Sequence, residues 1–580
     1  MRFTFAIVGG GLTATAMLHQ FVNRVQALAD TGQLDPSRIG IQVYERQDTF
    51  GPGFPHNARM TFPFHITNMC ASEMGILAGH PADFDDWVVR NSARLQKRFP
   101  YFRDSLAELS GSRLNCNHYP RAIMGEYLKT RFQETVTSAR TAGLDLSLYP
   151  STEVIDLKFH QNKIRLQVRD LSSGTHKFRE ADRLLLATGH WTEQNAGTRY
   201  FASPWPARKL QRTIPPGVKV AVIGTSLSAT ETLLTLSADG KFVRSSSGNL
   251  SYKPPTNPRR FCLYSRRGLL PKVRGKMGSR QNRVLTRENL SRLLSENRGP
   301  LTLDKIFHLL DSELEAAYGH SIDWQKILDP EGKPADLLQG YLEDAVNGDG
   351  PDGELIWQTV LHQSFDMVRD VYLNLKLDER RRFDQNFTSV FFTHAATQPA
   401  INAEKLLALM RAGLVNVIKL GSAYQLAKNE NNDYYEFIYR DTRGIERRDA
   451  YRYVVNARGQ NRDLRTDPSE LAINLLKRGI VKVSEYRLDS NNTASPGRKA
   501  SDLKPPEEVN ETGSIWIDPG THRIMQATSG QMAMPSEGIY AVGAMTRGQI
   551  IDASMARGIV QATSKIAEDL VDYLIRIRKS

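Results

Sequence analysis

At 580 residues the chain is too long for a single hydrophobic core, so two or three domains are expected. Its composition, 40% hydrophobic and 24% charged with a net charge of +13, is that of a globular protein, and no apolar stretch is long enough to span a bilayer. The three cysteines, Cys70, Cys116 and Cys262, are scattered without a C-x-x-C pair, which argues against a disulfide framework, a metal site or a dithiol relay and suits a reducing cytosol.

The apolar run Phe3 to Val8 leads straight into Gly9-Gly10-Gly11-Leu12-Thr13-Ala14. Arg2 followed by Phe3 to Leu18 has the outline of a signal peptide, but the glycines with Thr13 and Thr15 break it, and a fold element explains it better. The order strand, glycine turn, helix presents free N–H groups and a partial positive charge to a pyrophosphate. Gly9, Gly11, Leu12, Thr13 and Ala14 are therefore assigned to a dinucleotide, with an ordinary strand-to-helix turn as the competing reading. The next strand, Ile41 to Tyr44, ends in Glu45-Arg46. An acid there accepts hydrogen bonds from adenosine ribose hydroxyls and repels a 2′-phosphate, which points to FAD or NAD rather than NADP. The spacing is longer than the usual 20 or so residues, and a longer helix or loop over Ala27 to Ser37 absorbs the excess. Two extended segments, Glu153 to Lys158 and Lys163 to Arg169, precede an apolar strand that ends in Ala187-Thr188-Gly189, where glycine lets the backbone pass close to a cofactor.

The pattern then repeats. Val218 to Ile223 runs into Gly224-Thr225-Ser226-Leu227-Ser228-Ala229, with Ser226 where the middle glycine belongs. The following strand ends in Ser265-Arg266-Arg267-Gly268. Arginine clamps a phosphate bidentately, so Arg266 and Arg267 favour NADPH over NADH, with a solvated basic loop as the alternative. Residues 251–300 carry thirteen Lys and Arg, Arg298 among them, against Glu288 and Glu296. Without aromatic interleaving or a nucleic-acid module, nucleic acid is disfavoured as their partner. Leu290 to Leu294, Leu301 to Leu314 and Gln358 to Leu375 have helical apolar spacing and predict an insertion. Val415 to Lys419, Tyr435 to Tyr439 and Tyr453 to Asn456 then restate the first half's order, ending in Ala457-Arg458-Gly459. Segments 245–257 and 486–512 read as exposed loops. A last strand ends at Gly543, Thr546 follows, and a helix is expected from about Asp552 to Leu574, its N-terminus available to a flavin or pyrophosphate.

The expected fold is α/β, with two Rossmann-like dinucleotide-binding domains of the glutathione-reductase type. Residues 1–215 begin an FAD domain. Residues 216–460 form an NAD(P)H domain with a helical insertion at about 276–385. Residues 461–580 return to the first domain.

Several segments are familiar as an ordered series. They are Gly9 to Ala14, Gly51-Pro52-Gly53-Phe54-Pro55, His65-Ile66-Thr67-Asn68-Met69, Asp83-Phe84-Asp85-Asp86-Trp87, Pro120-Arg121 with Gly125 and Tyr127-Leu128, Leu186-Ala187-Thr188-Gly189-His190, and Ser265 to Pro271. With these the chain resembles the FAD/NAD(P)-binding proteins related to class B flavin monooxygenases and microbial N-hydroxylases, in a bacterial branch that includes FAD-dependent urate hydroxylase-like proteins. The resemblance implies FAD in the first domain, with Thr67, Met69 and Arg121 among its contacts, and NADPH in the second, with Gly224, Ser226, Leu227 and Ser228 at the turn. It departs in Ala544, where many such proteins carry an Asp for ribitol, and in Ser226. It implies a monooxygenase that transfers one oxygen atom from a flavin hydroperoxide to a small molecule, with molecular oxygen as co-substrate. Asn68, His65 and His190 are the candidate polar groups near the flavin ring; a turn residue and two structural histidines are the competing reading. Two other functions stay open: a flavin reductase with a non-oxygen acceptor, and a non-catalytic flavin-binding interaction protein. A disulfide reductase is disfavoured because it needs two cysteines near the flavin. The oligomeric state is open.

Overall fold

The computed structural model describes residues 2–104, 116–191, 199–296, 301–421, 423–429, 433–459, 463–487, 509–526 and 533–579. Two parallel sheets organise them. The first runs in the order Arg523–Gln526, Met534–Ala541, Arg183–Leu186, Phe3–Val8, Ile39–Tyr44, Asp145–Tyr149, parallel except for its edge strand Arg523–Gln526. The second runs Val415–Lys419, Arg260–Ser265, Lys219–Ile223, Tyr453–Asn456, Tyr200–Phe201, all parallel. Tyr200–Phe201 thus joins the second sheet, ahead of the boundary expected at 215.

Each sheet is covered in the same way, because a parallel sheet must bury both faces. On one face of the first lie the helices Leu12–Asp30, Arg121–Thr141 and Ala556–Lys579, around a core with Phe5, Phe21, Phe132 and Leu570. On its other face Val8, Leu184 and Leu186 pack against Val154, Leu157 and Leu166 of the antiparallel meander Thr152–His160, Lys163–Asp170, His176–Ala181. The second sheet repeats this with the helices Leu227–Leu236 and Ala400–Arg411 on one side. On its other side lies the meander Gln425–Asn429, Tyr434–Arg440, Glu446–Tyr451, where Tyr264 stacks on Phe437. Each such buried aromatic contributes about 1.5–3 kcal/mol. The order of elements read from the sequence is thus two copies of one unit.

The insertion is helical: Arg287–Glu296, Leu303–Tyr318, Trp324–Leu328, Pro334–Asn347, Ile356–Asn374, Leu377–Arg382 and Thr388–Ala395. Leu338, Tyr341 and Ala345 anchor it to the core of the second domain. Two loop expectations need correction. Residues 245–257 are half hairpin, since Leu250–Lys253 pairs with Lys241–Arg244. Around 486–512, Val483–Arg487 pairs with Val509–Ile515, and the stretch between them lies outside the described residues, as does Arg298. The C-terminal helix begins at Ala556, after a short 3-10 turn at Ala544–Thr546.

Candidate functional site

The two glycine turns share one backbone design. Gly9 N–H donates to the Tyr44 carbonyl (2.9 Å) and Gly224 N–H to that of Tyr264 (2.7 Å), so each turn is tied to the neighbouring strand end. Both glycines have positive φ, +102° and +114°. A Cβ would fall 2.3 Å from the Ala187 carbonyl oxygen at Gly9, and 2.8 Å from that of Ala457 at Gly224. The Ala-x-Gly at the end of a later strand therefore presses on the first glycine in each half, and only glycine fits there.

The first turn opens on a cavity lined by Gly9, Gly11, Leu12, Thr13, Glu45, Arg46, Thr188, Gly189, His190 and Gly543, ten of the residues expected to serve a dinucleotide or flavin. Glu45 is buried, and burial raises its pKa although the Gly10 N–H donates to one carboxylate oxygen (2.7 Å) and the Gln47 N–H to the other (2.8 Å). His56 and the return-segment residues Asp467 and Ser469 also line it. Nδ1 of His56 is buried without a hydrogen-bond partner among the described residues, which marks a place for a polar group from a ligand. His56 adjoins the Gly51 to Pro55 segment and so lay within reach of sequence reasoning. Asp467 and Ser469 carry no sequence signal, because only the return of the chain brings them here. His190 is held neutral, its pKa pushed down to about 3 by burial and then by Arg547 and Arg121. A glycine-lined cavity at a helix N-terminus, with a buried acid at the second strand's end, fits a dinucleotide such as FAD.

A second cavity, of about 430 Å³, lies beyond the first turn of the C-terminal helix. Ser554 and Ile559 face the first cavity, while Met555, Arg557, Val560 and Gln561 face the second. Asn68, Met69, Ser72 and Glu73 supply its first-domain wall, Arg274 its second-domain wall, and Gln358, Leu361, His362 and His394 the insertion's wall. Arg274 is 7% exposed and its buried Nε has no hydrogen-bond partner among the described residues. Leu361 and His394 also line a third cavity of about 740 Å³ inside the insertion, where Phe307, Trp324, Trp357 and Phe391 make an apolar wall.

Several expected residues sit elsewhere. His65 lines neither of the first two cavities: it is fully buried, its Nε2 lies 2.9 Å from Thr235 Oγ1, and its Nδ1 accepts from the Phe62 N–H. Nε2 ties the first domain to the helix Leu227–Leu236, while Nδ1 braces the ring's own segment at Phe62, so both nitrogens are engaged within the fold. Arg121 is drawn into the same boundary by an ion pair with the buried Glu231 (2.6 Å), with Trp205 against its guanidinium. Ala14 is core, and Thr546 caps its own turn by donating to the Gly543 carbonyl. Thr67 is buried beside Asn68, and its hydroxyl lacks a partner among the described residues.

At the second turn Ser226 is exposed at the start of the helix, with Leu227 and Ser228 half-buried after it, so this turn faces open surface. Ser265 Oγ accepts from the Gly268 N–H (3.0 Å) and shapes the loop. Arg266 donates to the Gln385 carbonyl of the insertion (2.8 Å), and Arg267 lines a shallow cavity with Lys419. The basic block does not form one patch. Arg259 is buried and caps carbonyls of Ile214 and Leu236, Lys272 lies over the Tyr341 ring, and Arg274 faces the second cavity.

The expectation of scattered, unpaired cysteines needs correction in one respect. Cys70 and Cys116 form a disulfide across 46 residues, with His118 Nε2 3.1 Å from Cys116 Sγ. The Thr67–Cys70 segment and the approach to the helix Arg121–Thr141 run together here, through Thr67 N–H to the Tyr119 carbonyl and Ala71 N–H to the Asn117 carbonyl. Sequence spacing gave no hint of that approach.

Comparison with known proteins agrees with this geometry. Residues 6–191 match the family described as FAD-NAD(P)-binding. That segment contains the first glycine turn, Glu45 and the Ala187-Thr188-Gly189 strand end. The chain is 23% identical over 472 residues to "Uncharacterized protein YdhS" of Escherichia coli K12, covering 76% of this chain and 82% of that protein. Among solved structures, the reduced form of ornithine hydroxylase from Pseudomonas aeruginosa matches with a TM-score of 0.50 at 11% identity, over 99% of this chain and 100% of that one. The likeness is one of fold and extends through both dinucleotide domains. The cadaverine monooxygenase of desferrioxamine biosynthesis from Erwinia amylovora, bound to FAD, matches over 99% of this chain and 96% of that one, with a TM-score of 0.47 and 10% identity. Among the described residues no helix is long and apolar enough to cross a membrane.

Proposed function

We propose that the chain is an FAD-dependent, NADPH-consuming monooxygenase that hydroxylates a small molecule at nitrogen, sulfur or an activated ring carbon. The observation that carries this reading is the pair of adjoining cavities. One is built for a dinucleotide around the first glycine turn; the other is walled by both domains and the insertion and divided from the first by a helix start. Bound FAD would supply oxygen activation; the protein would position and shield. The N–H groups of Leu12 and Thr13, at the helix start, would meet its pyrophosphate, and Glu45 would take its ribose hydroxyls. The positive end of the helix Ala556–Lys579 favours negative charge where the cavities meet. Asn68 offers an amide to the second cavity, and neutral His190 offers a hydrogen bond without a charge. NADPH would dock on the open second turn, with Arg266 and Arg267 at the end of the following strand for the 2′-phosphate.

The purified protein is expected to be yellow and to consume oxygen as it oxidises NADPH, with label from ¹⁸O₂ entering the product. Colourless protein that cannot be reconstituted with FAD would falsify the reading. Rapid NADPH oxidation that proceeds under nitrogen with an artificial acceptor, and no oxygen uptake in air, would replace it with a reductase.

A further inference from the structure

The disulfide carries a feature that a structural staple has no use for. His118 is buried, 6% exposed, and its Nδ1 lies 3.0 Å from the Thr67 carbonyl oxygen. A carbonyl only accepts, so Nδ1 carries the ring hydrogen. Burial, and then the nearby Arg274 cation, push the His118 pKa down to about 3 against the pull of the Thr67 and Met69 carbonyls, so the ring holds no second hydrogen. Nε2 therefore presents a bare lone pair to Cys116 Sγ at 3.1 Å. A disulfide sulfur has no hydrogen to give it, whereas a thiol does. The oxidised form leaves this buried acceptor without a donor, and the reduced form satisfies it.

Two further observations point the same way. The segments that the bond joins are already held by backbone: Ile66 bridges Pro120, Thr67 N–H donates to Tyr119, Ala71 N–H to Asn117 and Arg121 N–H to His65. Opening the bond therefore need not unfold the site. The sulfurs are also unequal, since Cys70 is buried at 5% exposure and Cys116 is half-buried. An incoming thiol meets Cys116 first.

We propose that Cys70, Cys116 and His118 form a thiol–disulfide exchange site whose ligands are thiols and disulfides, next in sequence to Asn68 and Met69 of the second cavity's wall. An external thiolate attacks Cys116 Sγ, a mixed disulfide forms and Cys70 leaves as thiolate. A second thiolate then attacks the external sulfur and releases Cys116. The external thiols end as one disulfide, and their two protons end on Cys70 and Cys116, the latter hydrogen-bonded to His118 Nε2. In reverse, the dithiol reduces a disulfide.

The test titrates the folded, full-length protein with mixtures of reduced and oxidised dithiothreitol, followed by acid quench, alkylation and mass mapping, with Cys262 as the internal reference. Cys70 and Cys116 are expected to interconvert while circular dichroism stays native, with Cys116 alkylated first. In Cys70→Ser, the lone Cys116 is expected to alkylate at least about tenfold faster than Cys262 at neutral pH, because burial pushes the Cys262 thiol up. His118→Gln puts an amide donor where the ring's lone pair accepts from the Cys116 thiol, and is expected to move the pH profile of Cys116 alkylation downward; wild-type behaviour of Cys116 in this variant would overturn the role of His118. A bond that opens only after denaturant unfolds the chain would make it a staple and overturn the proposal. So would a Cys116 in Cys70→Ser that reacts no faster than Cys262.

Discussion

The two glycine turns are close copies in backbone and unlike in surroundings. Gly9 and Gly224 share a positive φ, a hydrogen bond to the next strand and pressure from an Ala-x-Gly carbonyl. Yet the first turn lines a cavity completed by Glu45, His56 and the return segment, while the second starts a helix whose Ser226 faces open surface. Strand-to-helix geometry sets what class of ligand a turn can meet. The side chains that later parts of the chain bring to it set how firmly that ligand is enclosed. A tightly held FAD and a transiently docked NADPH are the expected consequence.

The largest expected effect breaks the resemblance between the turns. Gly9→Ala puts a Cβ against the Ala187 carbonyl at a φ that L-residues avoid, a cost of about 3 kcal/mol or more. Loss of bound FAD and a lowered melting temperature are expected. Gly224→Ala meets a looser contact, so flavin content should persist while the KM for NADPH rises. Equal loss of flavin in both variants would deny the division of labour.

The interface between the halves comes next. Arg121→Ala leaves Glu231 buried without its partner, and denaturant unfolding should show a loss of about 3–5 kcal/mol. A change below about 1 kcal/mol would show that this pair does not fasten the domains.

An acid limb follows from buried histidines. His56, His65, His118 and His190 are pushed from 6.5 down to about 3, chiefly by burial. Below about pH 6.5 the unfolded chain binds protons that the folded chain refuses. Stability is therefore fully present above that pH and falls as the pH drops toward 3, by up to about 1.4 kcal/mol per pH unit for each histidine. Melting temperatures measured through this range should fall steeply, and less so in His65→Asn. A flat profile would mean that these rings accept protons in place.

The smallest effect concerns the second turn alone. Arg266→Ala and Arg267→Ala should each raise the KM for NADPH several-fold more than that for NADH. Equal shifts would remove both arginines from 2′-phosphate recognition and leave Arg266 as a tether to Gln385.

Much of this molecule is legible in local pattern. Apolar runs that end in glycine turns, the Ala-x-Gly strand ends and the acid or arginines after each second strand are short-range features, because backbone sterics and hydrogen bonding act over a few residues. They are enough to read two Rossmann-like units, the helical insertion and the glycine-turn side of the first cavity. Side chains whose roles depend on distant partners were not readable. His65 and Arg121 resemble site residues in sequence but are spent on Thr235 and Glu231, more than a hundred positions away. Arg274 lay unmarked in a run of basic residues, and burial alone distinguishes it from its neighbours. Cys70 and Cys116 read as isolated because spacing cannot report that two segments 46 residues apart run together beside His118. Local pattern specifies which units form and where phosphate-binding turns fall. Tertiary structure alone decided which turn is enclosed, which polar groups are tied up and which sulfurs meet, since enclosure and pairing are properties of non-local packing.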